Sequence, residues 1–306
     1  MSTVREPVLL LAFNRPDRLR RVIDALRPQA PGRVYVAVDG PRPGVESDAA
    51  RVAATQAIVG EIDWACEIST LFREQNLGCG RAVSSGINWF FEHEDSGVIL
   101  EDDLIPGPDF LAYCDALLEQ YRHDERVFAV SGCNLVPPDR ITAPGSYRFS
   151  GITHIWGWAT WKRAWQHYAF DLTGWQRRLP PQRLLRTVGG RPTLAAFWAA
   201  AFELVRRGRL DTWDHQFILT AMEHGALTIA PRVNLVENVG FDADSTHMTQ
   251  RPDSLRPVEP LAWPLVDSPF RRDVDADSWE YRHLFDATAL GLFRAARRRL
   301  AARHQN

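Results

Sequence analysis

Short, wholly apolar runs alternate with longer stretches of helical spacing along this chain, and that alternation leaves few folds open to it. VLLLAF (Val8 to Phe13) is followed by Asn14, Arg15, Pro16 and Asp17, after which Leu19, Val22, Ile23 and Leu26 recur at helical intervals. RVYVAVDG (Arg33 to Gly40) repeats the form, with a polar stop at Asp39 and a turn at Gly40 and Pro41. A helix over about 47–59, a strand over about 67–72, a glycine-loosened loop NLGCGRA and a helix bearing Ile87, Phe90 and Phe91 come next. GVIL then ends in Glu101, Asp102 and Asp103. Beyond it lie a helix through Phe110, Tyr113, Leu117 and Tyr121 and the strand VFAVSG. Strands that are apolar throughout and alternate with helices predict an α/β fold, with a mainly parallel sheet covered by helices on both faces.

In such open sheets ligands bind beyond the carboxyl ends of the strands. Asn14 with Arg15, Asp39, and the Glu101–Asp103 triplet stand at three such ends. Taken singly, Asn-Arg-Pro-Asp is a fair helix start and Asp-Gly-Pro a plain turn. The triplet constrains more, because adjacent carboxylates at the end of a buried strand repel one another unless a cation or strong donors offset them. Hard oxygen ligands suit Mn2+ or Mg2+, ions commonly held by one or two carboxylates plus substrate phosphates. The competing explanation is acidic capping of the helix that begins near Pro108, a task already open to Asp109.

The second half has a different texture. Trp156, Trp158, Trp161 and Trp165 fall within ten residues. Spacing places Trp161 and Trp165 inward on a helix over about 162–168, and leaves Trp156 and Trp158, flanking Gly157, as the pocket candidates. DTWDHQFILTAMEHG sets Asp214 at the start of a helix, where an N-cap is the plain reading. LTIAP is a strand, and the loop after it carries His247.

Charge and cysteines narrow the classes further. With 36 Lys and Arg against 38 Asp and Glu, the chain has no basic field of the kind that argues for nucleic acid. Cys66, Cys79, Cys114 and Cys133 have no metal-ligand spacing, which argues for free thiols in a reducing compartment. MSTVREPVLLLAFNRPD carries too short an apolar run for a signal peptide or membrane span, so a cytoplasmic protein is expected. In LFRAARRRLAARH a narrow apolar stripe lies beside five arginines, Arg294 to Arg303, the pattern of a docked surface helix or of peripheral contact with the inner face of a membrane.

Taken in order, AFNRP, AVDG, NLGCGRA, ILEDDLIPGPDF, VSG, WGWATW, TWDHQF and NLVENVGFDADSTH resemble bacterial family 2-like glycosyltransferases of the GT-A nucleotide-diphospho-sugar transferase fold. More distantly they are similar to the N-acetylglucosaminyltransferase I family. The likeness runs from about Val8 to about Met248. It implies a catalytic domain over 1–255, with a nucleotide-binding half to about 104 and an acceptor half from about 105, followed by an extension over 256–306. It implies that Arg15 and Asp39 hold the nucleotide, in a donor-binding set that also takes in Phe13, Asn14, Asn76, Arg81, Asp102, Trp156, Gly157 and Trp158. By the same likeness Asp103 binds the metal, Asp102 lies by the ribose, Glu101 approaches the donor sugar, Asp214 is the general base and His247 offers a second metal ligand. The implied partners are a nucleotide-sugar donor, with UDP the expected nucleotide, and a glycan, lipid-linked or small-molecule acceptor. Two alternatives share some of these features. A sugar nucleotidyltransferase would share sheet and metal but requires a glycine-rich loop after the first strand, and AFNRP is too short for one. A non-catalytic carbohydrate-binding module would explain the tryptophans without Asp214.

Overall fold

The computed structural model of the chain describes residues 5–241 and 255–283. Its elements run β1 (Val8–Ala12), α1 (Pro16–Leu26), β2 (Arg33–Val38), α2 (Glu46–Ala57), β3 (Glu67–Phe72), α3 (Cys79–His93), β4 (Ser96–Glu101), β5 (Leu104–Pro106), α4 (Phe110–Gln120), β6 (Val127–Ser131), β7 (Tyr147–Ser150), β8 (Trp158–Trp161), α5 (Lys162–Trp165), α6 (Trp175–Arg178), α7 (Pro181–Thr187), α8 (Pro192–Arg206), α9 (Asp214–His224), β9 (Leu227–Pro231), β10 (Val236–Asn238) and α10 (Val274–His283). Eight strands form one sheet in the order β3-β2-β1-β4-β8-β6-β9-β7, and β10 pairs with β5 in a separate two-stranded ribbon. The expected α/β architecture with a mostly parallel sheet is what the chain adopts.

Each central strand sends alternate residues to opposite faces, the period-2 rule of extended chain. Val8 and Leu10 of β1 join one buried cluster with Leu19, Val22 and Ile23 of α1, while Leu9 and Leu11 join the other with Ile87 and Phe90 of α3. Both faces are therefore covered, which is why these strands read as unbroken apolar runs.

Two features depart from the reading of the sequence. β3 is an edge strand with Ile68 and Phe72 about two-fifths exposed, so the two-sided cover stops at β2. β8, the WATW segment, for which no strand was expected, lies antiparallel between β4 and β6 just before the short helix α5, and β7 also runs against its neighbour β9. Aromatic density concealed a strand: Trp158 faces one core cluster while Ala159 and Trp161 face the other.

Helices α6 to α9 build a third apolar cluster around Trp175, Trp198 and Phe202. The segment from residue 255 is fastened to the body at two places. Asp109, expected to cap α4, instead accepts hydrogen bonds from the Leu261 N–H at 2.9 Å and the Trp263 indole at 3.1 Å. Arg148, fully buried on β7, donates to Asp277 at 2.9 Å and Glu280 at 3.1 Å on α10, and His154 lies 2.8 Å from Glu280. No helix among the described residues is long and apolar enough to cross a membrane. The basic stretch from Leu292 to Arg303 lies outside the described residues.

A buried ion pair broken on one side leaves an uncompensated charge, whereas an exposed pair contributes little. Arg148→Ala is therefore expected to cost roughly 3–5 kcal/mol in urea unfolding. Removing Arg20, whose side chain is exposed and pairs with Glu61 at 2.9 Å, should leave the unfolding midpoint almost unchanged.

Candidate functional site

Register brings the polar strand ends together. Leu11 lies opposite Glu101 and Ala12 opposite Val38, so the first loop, the Asp39 turn and the acidic triplet leave the sheet at one edge. They line a cleft of about 1190 Å³ together with Trp156, Phe197 and residues 210–215. A volume of this order accommodates a nucleotide sugar with room for a second substrate.

Arg15 organises the acids. Its Nε donates to Asp102 Oδ2 at 3.2 Å, its Nη2 pairs closely with Asp102 Oδ1, and its Nη1 reaches Asp103 Oδ2 at 3.2 Å. Arg18 adds a contact to Asp103 at 3.6 Å. The cation that the triplet calls for is thus supplied in part by the chain itself. Asp102, at 1% exposure, lines the base of the cleft beneath Arg15 and anchors the first loop. Burial, reinforced by the charges of Asp103 and Asp102 and opposed by Arg15, pushes the Glu101 carboxyl up to about 8. Asp103 is covered by the chain leaving β10: the Val239 N–H donates to its carbonyl at 2.9 Å, and a Cβ on Gly240 would lie 2.4 Å from Asp103 Oδ2. Among the described residues no hydrogen bond reaches Asp103 Oδ1, and no group of three or more His, Cys, Asp or Glu side chains forms a ready-made metal cage. One open carboxylate oxygen fits a Mg2+ or Mn2+ ion that brings most of its ligands as phosphate oxygens and water. His247, the expected second ligand, lies outside the described residues.

The residues expected to hold the nucleotide are strongly engaged with one another. The Asp39 carboxylate accepts the N–H groups of Gly40 and Leu77, both at 3.0 Å, and the Asn76 amide at 2.8 Å. Asp39 and Asn76 therefore latch the NLG loop to the β2 turn. Asn14 donates to Asp48 at 2.9 Å, and Asp48 also takes Arg42 Nε at 2.6 Å. The Arg42 hydrogen bond is the main reason the buried Asp48 carboxyl is held down at about 2. Arg42 lies 5.4 Å over the Phe13 ring, and Arg51 donates to the Asn14 carbonyl at 2.9 Å. Arg42, Asp48 and Arg51 were missed in the sequence, where Asp48 and Arg51 read only as polar positions on a helix.

Three expected donor-site residues fall elsewhere. Trp158 is 1% exposed and stacks on Trp213 at 5.5 Å, making it core. Its place on a central strand outweighs the flanking glycine that suggested a pocket wall. Gly157 has φ +64° and lies where a Cβ would meet Val236 at 2.6 Å, so it serves a tight backbone crossing. Arg81 is exposed and stacks on Phe170 at 4.6 Å, outside the cleft wall. Trp156 does line the cleft, edge-on to Phe241 at 6.0 Å.

Asp214 is not the N-cap of α9. That position belongs to Trp213, and no side-chain cap is made. The Asp214 carboxylate instead gathers three donors on Oδ1: the His215 N–H and His215 Nδ1, both at 2.8 Å, and the Thr212 hydroxyl. Burial works against its ionisation, but the hydrogen bond and charge of His215, with Thr212, hold it at about 2. Among the described residues nothing donates to Oδ2. The glycines of NLGCGRA explain how this wall closes on the acids. The Gly80 N–H donates to Asp211 at 3.0 Å, and a Cβ there would sit 2.6 Å from Asp211 Oδ1 and 2.8 Å from the Thr212 carbonyl. Asp214 thereby comes near enough to Glu101 for its charge to add to the upward push on that carboxyl. Asp211, Thr212 and His215 were not singled out in the sequence. Their one signal was adjacency to the Trp-Asp pair.

No protein-family model matches the chain, and no curated protein matches it significantly. Among solved structures it is similar to a UDP-glucose pyrophosphorylase complexed with UDP-glucose, at 9% identity over 76% of this chain and 91% of that one, with a TM-score of 0.40. It is also similar to an inositol-1-phosphate CTP transferase from T. maritima (10% identity, 76% and 86% coverage, TM-score 0.35). A third is HddC from Yersinia pseudotuberculosis (10% identity, 53% and 80% coverage, TM-score 0.33). The first two are by name nucleotidyl-transfer enzymes, the class held as an alternative from the sequence rather than glycosyltransferases. Likenesses this distant carry no argument by themselves.

The two tryptophans give a direct check on the site. Trp158→Ala is expected to destabilise the protein by about 3–5 kcal/mol in denaturant unfolding, the cost of a large core cavity. Trp156→Ala should cost clearly less stability while weakening ligand binding in calorimetry.

Proposed function

We propose that the cleft binds a nucleotide-diphosphate sugar and transfers its sugar, with inversion, to a hydroxyl acceptor. The carrying observation is that the Arg15-bound acidic triplet and Asp214 line one cleft, with Asp214 near enough to Glu101 for their charges to interact. A diphosphate leaving group requires compensation of charge at its oxygens, and an attacking hydroxyl requires a base within hydrogen-bond reach.

On this reading the first loop and the Asp39–Asn76 latch shape the nucleotide side, with UDP the expected nucleotide. Asp103 would hold Mn2+ or Mg2+ through its open oxygen, and His247 is the proposed further ligand. That ion, when bound, supplies charge neutralisation at the departing diphosphate. Asp102 holds Arg15 in place, and Glu101 stands between metal side and acceptor side, directed towards the sugar. Asp214 takes the proton of the acceptor hydroxyl as that oxygen attacks the anomeric carbon, and the bond to the diphosphate oxygen breaks with its electron pair. The acceptor class remains a glycan, a lipid-linked saccharide or a small molecule, with contact at the inner membrane face through the C-terminal basic segment as a further proposal.

A sugar nucleotidyltransferase is the second reading, the class named by two of the similar solved structures. Against it stands the first loop. Only Phe13, Asn14 and Arg15 separate β1 from α1, with no glycine among them. A site that must cradle a nucleoside triphosphate on backbone N–H groups needs more chain than this.

A screen of nucleotide sugars for Mn2+-dependent nucleotide release, run beside pyrophosphate release from UTP and glucose 1-phosphate, separates the two. The glycosyltransferase reading expects the first activity alone. Nucleotide-sugar binding without either activity would support the binding module. In the active assay Asp103→Ala or a chelator should reduce turnover at least about 100-fold. Asp214→Asn should lower kcat by about 100-fold or more with nucleotide affinity unchanged. Full activity in the chelator would defeat the metal assignment.

A further inference from the structure

We infer that His215 and Thr212 are positioning residues that fix the Asp214 carboxylate so that the acceptor's proton is received on Oδ2 alone. The inference rests on the reading of Asp214 as the base and adds to it the groups that make that base one-sided. A carboxylate oxygen offers about two lone-pair directions. Oδ1 already takes three donors, from the His215 backbone, the His215 ring and the Thr212 hydroxyl. With Oδ1 saturated, proton transfer to it would require breaking one of these bonds, whereas Oδ2 has no donor among the described residues.

Each positioning group is itself held. The His215 ring stands edge-on to Trp198 at 5.8 Å, and Trp198, 2% exposed, stacks on Phe202 at 5.6 Å within α8. The Thr212 carbonyl accepts the Gln216 amide at 2.8 Å and lies in close contact with Gly80. Since ionised Asp214 can only accept, Nδ1 of His215 carries the proton in this bond. His215 Nε2 makes no hydrogen bond among the described residues and is not among the buried unpartnered atoms, so it is open to the cleft. In the step itself the proton moves from the acceptor hydroxyl to Asp214 Oδ2, and the freed oxygen pair forms the bond to the anomeric carbon. The carbon–oxygen bond to the diphosphate breaks, its electrons leaving with the diphosphate. His215 keeps its proton throughout.

The test uses the full chain with Mn2+ and UDP-glucose or UDP-N-acetylglucosamine, whichever turns over faster, measuring UDP release to water and UDP affinity by calorimetry. His215→Phe keeps a ring against Trp198 but removes the donor, and His215→Asn restores an amide N–H near the position of Nδ1. The expected result is a kcat about 10- to 100-fold lower for the Phe variant, the size of a lost hydrogen bond to a charged group. KM and UDP affinity should stay within about twofold, and the Asn variant should recover most of the rate. Thr212→Val should lower kcat about tenfold, with Thr212→Ser restoring it. This second pair reads the same oxygen should a His215 variant fold poorly. Wild-type kcat in both His215→Phe and Thr212→Val overturns the inference. So does an Asn variant as slow as the Phe variant, because the imidazole would then be taking the proton at Nε2. If wild-type protein releases no UDP while binding it, the glycosyltransferase reading fails first. If Asp214→Asn is inactive and the His215 and Thr212 variants are not impaired, the base assignment survives and this inference alone is lost.

Discussion

The Arg15–Asp102 ion pair is the contact on which the site depends. A carboxylate buried to 1% exposure at the end of a central strand is tolerable only when fully paired. Arg15 meets that requirement from the neighbouring strand's loop. The pairing fixes the first loop against the end of β4, leaves Arg15 one further donor for Asp103, and so sets the spacing of all three acids. What the cleft then meets most openly is one partly exposed glutamate and one aspartate with an oxygen that takes no hydrogen bond among the described residues.

The Asp214 part of the cleft is built by a different means. α9 and the residues before it approach the acids because Gly78 and Gly80 have no side chains to hold Asp211 and Thr212 away. Behind them, the Trp175, Trp198 and Phe202 cluster makes a rigid backing, and the buried Arg148–Asp277–Glu280 network holds α10 against the same side of the body. The two parts of the lining differ in character: an ionic lattice around Arg15 and Asp48, and aromatic packing with one constrained carboxylate around Asp214.

Much of this was legible in advance. VLLLA, RVYVAV and SGVILE announce buried strands because a strand covered on both faces has no polar side to show. Their polar endings mark one edge because parallel strands end on the same side. β8 and β7 were hidden, the first by tryptophans that read equally as helix or pocket, the second by a short run, YRFS, holding an arginine that only a distant helix neutralises. Trp158 and Gly157 were misplaced for the same reason: local spacing does not say which aromatic residue meets the core and which the solvent. Arg42, Asp48 and Arg51 gave no signal, since their pairing depends on where α2 lies against the first loop.

The sequence by itself determined the alternation of strands and helices, and hence a sheet edge bearing Arg15, Asp39 and the acidic triplet, because side-chain periodicity is local chemistry. Only the tertiary structure decided that Arg15 neutralises Asp102, that Asp39 binds backbone N–H groups and the Asn76 amide, and that Asp214 gathers three donors on one oxygen close to Glu101. Each of these depends on partners far apart in the chain, and the energy of a buried charge is set by what surrounds it in space.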